Sequence, residues 1–429
     1  MSPQPRSANG PLEFRFSRME RLLGGHPVRT VSVDGERAEF VTDPALVHRV
    51  LIKDGKRYGK GELFQKARLL SRAGLLAQDD VLHRHYRRLA HPYLRGAAVA
   101  DHTPVMAEVA RDTAAAWRTG QEVDVQAAMC RAAAAIALRT LFAGLTREAS
   151  SRLERQLAVV AWELISKPLY GNAAARARRQ STSRRSAQAF ADLRALIAAQ
   201  LDSPDATAGY LAALLSDPGR PGTPALSADE VCGEAVMMLT AATVTTASVM
   251  SWALYTLSEH PLIEEKVLKD LARTAAAGDS DRVGHGHGPP GYTLRFLMEV
   301  LRLYPPVWIT CRRTLADVTL GDRALRAGTH VMFSSYLLHR DPARYPDPHR
   351  FDPDRWLTLR PSAHDASYLP FGAGARGCVG EAFAWKELEI LLGAVVREWR
   401  LTLPPGGRVR AAAHTTLHPQ RLLMLPEPR

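Results

Sequence analysis

A mainly α-helical chain with small β-sheets is what this 429-residue sequence predicts, and three observations carry that reading. Residues 105–200 are rich in Ala and Arg at helical spacing, with few β-branched runs. Ser227 and Glu230 form a capping box, and nothing stops the helix they open until Pro261. Strand signals are short by comparison. The clearest is 28–42, where β-branched residues flank an Asp34-Gly35 turn and predict a hairpin.

Taken in order, residues 1–10 lack the apolar core of a signal peptide and read as a disordered lead to one domain over 11–429. Asp43 and Pro44 open a helix whose apolar positions 46, 47, 50 and 51 share a face. Residues 59–78 are a Gly- and Leu-rich connection. His83 and Arg87 then stand four apart and share one helix face. The arginines at 176, 178, 179, 184 and 185 mark a solvated helix end or connection. Residues 203–225, with repeated Pro, Asp and Gly, form a turn-rich linker. The helix opened at Ser227 spans about 50 Å at 1.5 Å per residue. From Ala235 to Leu257 it is almost wholly apolar or small, as a helix buried on all sides must be. A further helix follows Pro261 to about Ala277, before a Gly-rich loop whose His285 and His287 lack further metal ligands. Thr293 to Leu303 is a helix closed by Pro305 and Pro306.

The chemistry gathers at Phe371–Gly380. Here Cys378 sits in a glycine-rich loop directly before a strong helix-forming run from Glu381. Glycines at 374, 377 and 380 permit backbone conformations other residues resist and let a flat group approach the main chain. The positive end of the following helix favours a thiolate. The pattern Phe-x-x-Gly-x-Arg-x-Cys-x-Gly resembles the haem-thiolate signature of the cytochrome P-450 family. A lone cysteine is more often an inert core residue, but the matching positions around it (Phe371, Gly374, Arg376 and Gly380) reverse those odds.

That resemblance covers nearly the whole chain and implies a single cytochrome P-450 fold domain binding haem b. It implies Cys378 as the axial iron ligand, within a loop in which Phe371, Gly372 and Gly380 also hold the haem. His83, Arg87, Arg312 and Arg376 are implied propionate partners; a guanidinium suits carboxylate geometry. Glu299 and Arg302, three apart, resemble with Arg355 the family's buried Glu-Arg-Arg triad, which is structural. Three such charges can be buried only if they satisfy one another. Ala241, Ala242, Val244 and Thr245 fall where the family has its distal wall: small-Gly-x-acid-Thr. Met237, Thr240, Val307, Trp308 and Ile309 are implied to border the substrate pocket. None of these is charged, so an apolar substrate is expected. The Pro-Pro-Val-Trp stretch and the His339-Arg-Asp-Pro meander are similar to those of bacterial members acting on terpenes. The implied activity is dioxygen activation at haem iron, hydroxylating or epoxidising an apolar natural product.

Val244 departs from the family, whose acid and alcohol relay protons to oxygen; valine can do neither. Three readings follow. Thr245 suffices with water or a substrate hydroxyl; or the enzyme performs desaturation, ring formation or coupling; or the protein is a non-catalytic haem-based ligand sensor.

Composition narrows the partners. The four cysteines (130, 232, 311 and 378) show no disulfide or metal spacing, which fits a reduced cytoplasm. The net charge of +12 calls for an acidic partner. The arginines are scattered rather than interleaved with aromatics, so nucleic acid is not expected. No run of about 18 apolar residues appears, and no membrane span is expected. An external ferredoxin and ferredoxin reductase are the implied electron source, with Lys386 as a docking contact, and the protein is expected to be a monomer.

Overall fold

The computed structural model describes residues 26–33, 35–60, 75, 80–165, 173–201, 209–219, 224–276, 290–361 and 366–429. The expected lead at 1–10, most of the 59–78 connection, Asp34 of the hairpin turn, and His285 and His287 lie outside them.

The hairpin forms as β1 (Val28–Val33) and β2 (Glu36–Val41), antiparallel, with Gly35 at φ +91° in its turn. In α1 (Pro44–His48) the Asp43 carboxylate accepts the Leu46 N–H at 2.9 Å, and Pro44 occupies the first turn, where it costs no hydrogen bond. The helix then widens into a π-helical turn, Arg49–Lys53, which buries Val50 and Leu51. β3 (Tyr58–Lys60) follows, then helices α2 (Asp80–Leu94) and α3 (Gly96–Ala115), strand β4 (Val123–Asp124), and helices α4 (Val125–Leu141), α5 (Arg147–Ile165) and α6 (Ala173–Leu201). The arginine run lies inside α6 and is not a connection; Arg184 is exposed. The expected linker at 203–225 contains a short helix, α7 (Gly209–Leu215). Tyr210, Leu211 and Leu214 on it are buried, an apolar face the turn-rich composition concealed.

The central element is α8 (Ala228–Glu259). Its capping box is complete: Ser227 Oγ accepts the Glu230 N–H at 3.3 Å, and Glu230 Oε2 accepts the Ser227 N–H at 2.9 Å. This helix packs along α4, whose alanines at 128, 132, 133, 134 and 137 are buried and allow close approach. It is long and apolar enough to cross a membrane, yet 83% of its apolar window is buried inside the fold. α9 (Pro261–Ala276) and α10 (Tyr292–Leu303) follow.

Then come β5 (Thr310–Thr314), β6 (Val318–Leu320), β7 (Arg323–Leu325), β8 (His330–Phe333), α11 (Ser335–Leu338), α12 (Glu381–Glu398), β9 (Trp399–Thr402), β10 (Ala411–Ala413), β11 (Leu417–Pro419) and β12 (Leu423–Pro428). The main sheet runs β1-β2-β8-β5-β3, with β2 and β8 parallel and the other pairs antiparallel. One large apolar core unites α8 with the helices around it, and two smaller clusters back the sheet. The helices thus form one body, the main sheet a flank. Within 366–380, Ala366, Leu369 and Ala373 join a sheet-side cluster, while Phe371 and Val379 pack on the large core.

Candidate functional site

Cys378 sits at the end of a loop folded on itself. Its N–H donates to the Phe371 carbonyl at 2.8 Å, and Gly377 N–H to the Gly374 carbonyl at 3.0 Å. Gly374 has φ +71°, and a Cβ there would lie 2.1 Å from the Leu51 carbonyl oxygen of the π-helical turn. Only glycine can be pressed against that backbone in that conformation. Gly372, at φ +70°, is the second left-handed position. Gly377 and Gly380 have ordinary φ, so the conformational demand falls on 372 and 374 rather than on all three expected glycines. Phe371 packs edge-on against Trp385 of α12 with ring centroids 5.4 Å apart.

The Cys378 side chain carries open surface, unlike Cys130, Cys232 and Cys311, which are buried. Burial of the surrounding loop nevertheless pushes the bare thiol up to about 11, with only partial relief from the Gly380 N–H. The helix terminus does not by itself outweigh that burial, and a bound cation beside the sulfur would favour the thiolate.

Arg87, on α2, donates to the Gly377 carbonyl at 2.6 Å, tying that helix to the loop; His83, one turn earlier, is buried. On the sheet side, Arg312 of β5 is buried and donates to the Cys311 carbonyl at 3.0 Å. Burial, then the neighbouring Arg376 charge, lowers its pKa to about 10. Lys60 of β3 lies opposite Arg312 in the strand register, and burial followed by Arg312 and Arg376 holds its ammonium well below the usual range. Arg312, Arg376 and Lys60 thus gather closely enough beside the cysteine loop to disfavour one another's charge. Sequence reading missed Lys60, because only the β3–β5 pairing brings it to Arg312.

Between Val231 and Leu254, α8 is buried everywhere except at Ala241, Ala242 and Thr245. Two alanines and one alcohol are therefore where that stretch opens. Thr245 Oγ1 donates to the Ala241 carbonyl at 2.8 Å, and Val244 is buried at their side. Met237 and Thr240 are buried, and Thr240 Oγ1 has no hydrogen-bond partner among the described residues. Val307 is 42% exposed, whereas Trp308 and Ile309 are buried against the sheet-side cluster. The Trp308 indole donates to the His414 carbonyl at 3.0 Å, so that ring fixes the β10–β11 hairpin. Lys386 is buried and 4.0 Å from Glu389, which removes it as a surface docking contact.

Glu299, Arg302 and Arg355 come together in the core. Arg302 donates through Nε and Nη2 to the two Glu299 oxygens at 2.9 and 2.8 Å, and Arg355 Nε to Oε1 at 2.9 Å. Two partners were not legible beforehand: the Trp356 indole donates to Glu299 Oε2 at 3.0 Å and the Asp352 N–H to Oε1 at 2.9 Å. Arg302 also caps the carbonyls of His339, Pro348 and Arg350. His339 Nε2 accepts the Leu369 N–H at 2.7 Å, two residues before Phe371. Burial lowers the His339 pKa to about 3, so the ring is neutral and can accept.

Among the described residues no group of three or more His, Cys, Asp or Glu could hold a metal ion. An exposed Cys378 with Arg376 two residues before it is suited to a metal carried in its own ring. Comparison with known proteins agrees. The cytochrome P450 family model matches residues 13–429. Cyclooctatin synthase of Streptomyces melanosporofaciens is 32% identical over 402 residues, covering 90% of this chain and 85% of that protein. Pentalenene oxygenase of Streptomyces avermitilis is 31% identical over 388 residues, covering 88% and 85%. Among solved structures, the cytochrome P450DA haem domain superimposes with a TM-score of 0.79 over 100% of this chain and 97% of that one, at 20% identity. A retinoic acid-bound cyanobacterial CYP120A1 gives 0.79 over 96% and 94%, at 21% identity.

Proposed function

The chain belongs to the cytochrome P450 family of monooxygenases, and from that membership we propose how it holds its cofactor and what it oxidises. The cofactor is haem b, ligated by Cys378. The observation that carries this is the exposed Cys378, in a fold whose central helix is, between Val231 and Leu254, only partly buried at Ala241, Ala242 and Thr245. When bound, the haem supplies iron for dioxygen activation, and an anionic sulfur ligand favours O–O cleavage.

The chain's own residues bind, orient and deliver protons. Arg312 and Arg376 hold the propionates with His83 and Arg87, and Lys60 adds a further cation. Arg87 keeps the cysteine loop in register through Gly377. Thr245 holds a proton at Oγ1 beside the oxygen site. Met237, Thr240, Val244 and Ile309 exclude water. The Glu299–Arg302–Arg355 group is structural and steadies the meander that leads into the cysteine loop.

The substrate is an apolar, terpenoid-class natural product. Support comes from the uncharged pocket residues and from relatives at 30–32% identity that modify terpenoids. Electrons come from external redox proteins, as is general for bacterial members; the +12 charge favours an acidic ferredoxin with its reductase. The enzyme acts as a monomer in the cytoplasm. Membership in a monooxygenase family sets the sensor alternative aside. Val244 favours a second reading, desaturation, ring formation or oxidative coupling without oxygen transfer.

The test is turnover of cyclic terpene hydrocarbons and alcohols with ferredoxin, ferredoxin reductase and NADPH, beside a fatty acid and a macrolide. An oxygenated terpenoid, preceded by a low- to high-spin optical shift, is expected. Turnover confined to the fatty acid or macrolide would overturn the substrate class. A dehydrogenated or cyclised product would establish the second reading.

A further inference from the structure

Between residues 240 and 256, α8 carries seven serine and threonine hydroxyls. Thr243, Thr245, Ser248, Ser251 and Thr256 each donate to the carbonyl four residues back, which is how a helix commonly satisfies such a group. Thr246 instead donates to the Glu387 carboxyl of α12 at 2.9 Å. Thr240 does neither. It is 8% exposed, and its buried Oγ1 has no hydrogen-bond partner among the described residues. Bonding to the Val236 carbonyl would repeat what its neighbours do, so this hydroxyl is turned away from its own helical turn. The residues beside it on the helix offer nothing in exchange. Val236, Met237 and Val244 are apolar, and the Thr243 hydroxyl is committed to the Leu239 carbonyl. A buried hydroxyl left unpaired is unfavourable, and a valine of the same shape would avoid the penalty. One turn from both Met237 and Val244, Thr240 shares the face on which those two pocket residues stand.

We propose that Thr240 is the polar anchor of the pocket, its Oγ1 hydrogen-bonded to a hydroxyl that the terpenoid already carries when it binds. The inference rests on the pocket and terpenoid-class reading given above. A threonine hydroxyl both donates and accepts, so it pairs with an alcohol in either sense. The substrate is then an oxygenated terpenoid and not a hydrocarbon. The reaction that supplies it either captures water at the carbocation that closes the ring system or hydroxylates the skeleton beforehand. Thr240 and Thr245 are five residues apart, about 7.5 Å along the helix axis. A molecule anchored at one and oxidised beside the other gains its new oxygen at a carbon remote from the first. The product is a diol, not the aldehyde or acid that repeated oxidation of one carbon gives. In the step a substrate C–H bond breaks and a C–O bond forms with one atom of dioxygen. The other atom leaves as water, with two electrons from the redox partners and two protons from solvent. The anchored hydroxyl is unchanged.

The experiment titrates the haem-loaded wild type, Thr240→Val and Thr240→Ser with pairs that share a skeleton: borneol and bornane, cedrol and cedrane, abietadienol and abietadiene. The low- to high-spin optical shift gives each Kd, and products are identified after turnover with ferredoxin, ferredoxin reductase and NADPH. For at least one pair, the ratio of hydrocarbon Kd to alcohol Kd should be about tenfold larger in wild type than in Thr240→Val, the size of one net hydrogen bond. Thr240→Ser, which keeps the hydroxyl, should retain the wild-type ratio. Wild type should form one diol from that alcohol, and Thr240→Val a mixture of positional isomers. Without substrate, Thr240→Val should melt no lower than wild type, because no partner is lost. The same ratio in wild type and Thr240→Val for every pair overturns the inference, as does a low-spin shift that places the alcohol on the iron. A lower melting temperature of substrate-free Thr240→Val overturns it too, since the hydroxyl then has a partner inside the protein. Failure of the terpenoid reading is distinct. No member of any pair would shift the spin state of wild type, although its carbon monoxide complex still showed a thiolate-ligated haem, and the inference would fall with that reading.

Discussion

Arg355 Nε donates to Glu299 Oε1 at 2.9 Å across 56 residues of sequence, with no solvent exposure at the carboxylate. Arg302 (twice), Trp356 and the Asp352 N–H also donate to the same two oxygens, so Glu299 accepts five hydrogen bonds. Glu299→Ala leaves two guanidinium groups in the core without their counter-charge, at a cost of about 3–5 kcal/mol. The expected outcome is low soluble yield and poor haem incorporation, measured by pyridine haemochrome per protein. Normal haem content and normal stability would contradict it.

Gly374→Ala should fail for a different reason. An L-residue at φ +71° costs roughly 1–2 kcal/mol, and the added Cβ also meets the Leu51 carbonyl at 2.1 Å. The cysteine loop or the π-helical turn must move. Reduced haem retention and a lower melting temperature are expected in thermal denaturation of the holoenzyme. A variant indistinguishable from wild type would mean that this contact is not maintained.

Glu234 gives a prediction in pH. It is fully buried on α8, accepting from Tyr210 Oη at 2.7 Å and from the Leu75 N–H at 2.5 Å. Burial pushes its pKa from 4.5 up to about 7 despite those two donors. A raised folded-state pKa means that the folded chain binds the proton more tightly. The resulting stability is fully present below 4.5 and is lost as pH rises through about 7. The loss approaches about 3 kcal/mol. Urea denaturation at about pH 5 and about pH 8 should show wild type losing more than Glu234→Gln. Equal losses would contradict a buried, titrating Glu234.

Thr245→Ala removes the one hydroxyl at the opening in α8. Product formed per NADPH should fall and peroxide release should rise, with haem content and carbon monoxide binding intact. Unchanged coupling would remove Thr245 from proton delivery.

Much of this was legible in the sequence because it depends on local chemistry. The capping box at Ser227, the Asp43-Pro44 helix start and the Glu299–Arg302 spacing are statements about residues three or four apart. Cys378 stood out because its loop is contiguous. What was hidden depends on tertiary pairing. Lys60 meets Arg312 only through strand register, and Glu387 meets Thr246 only where α12 crosses α8. The helix at 209–215 was obscured by flanking Pro and Gly, although Tyr210, Leu211 and Leu214 carried its buried face. Lys386 looked like a docking contact because sequence alone does not say which side of α12 faces inward; the structure buries it.

The central claim is that Cys378 binds haem iron as a thiolate. The direct measurement is the optical spectrum of the dithionite-reduced carbon monoxide complex of wild type, Cys378→Ser and Cys378→His. Wild type should show the red-shifted Soret band of a thiolate-ligated complex, and both variants should lack it, with Cys378→His giving at most the blue-shifted band of a histidine-ligated haem. A red-shifted band that survives in either variant would contradict the account.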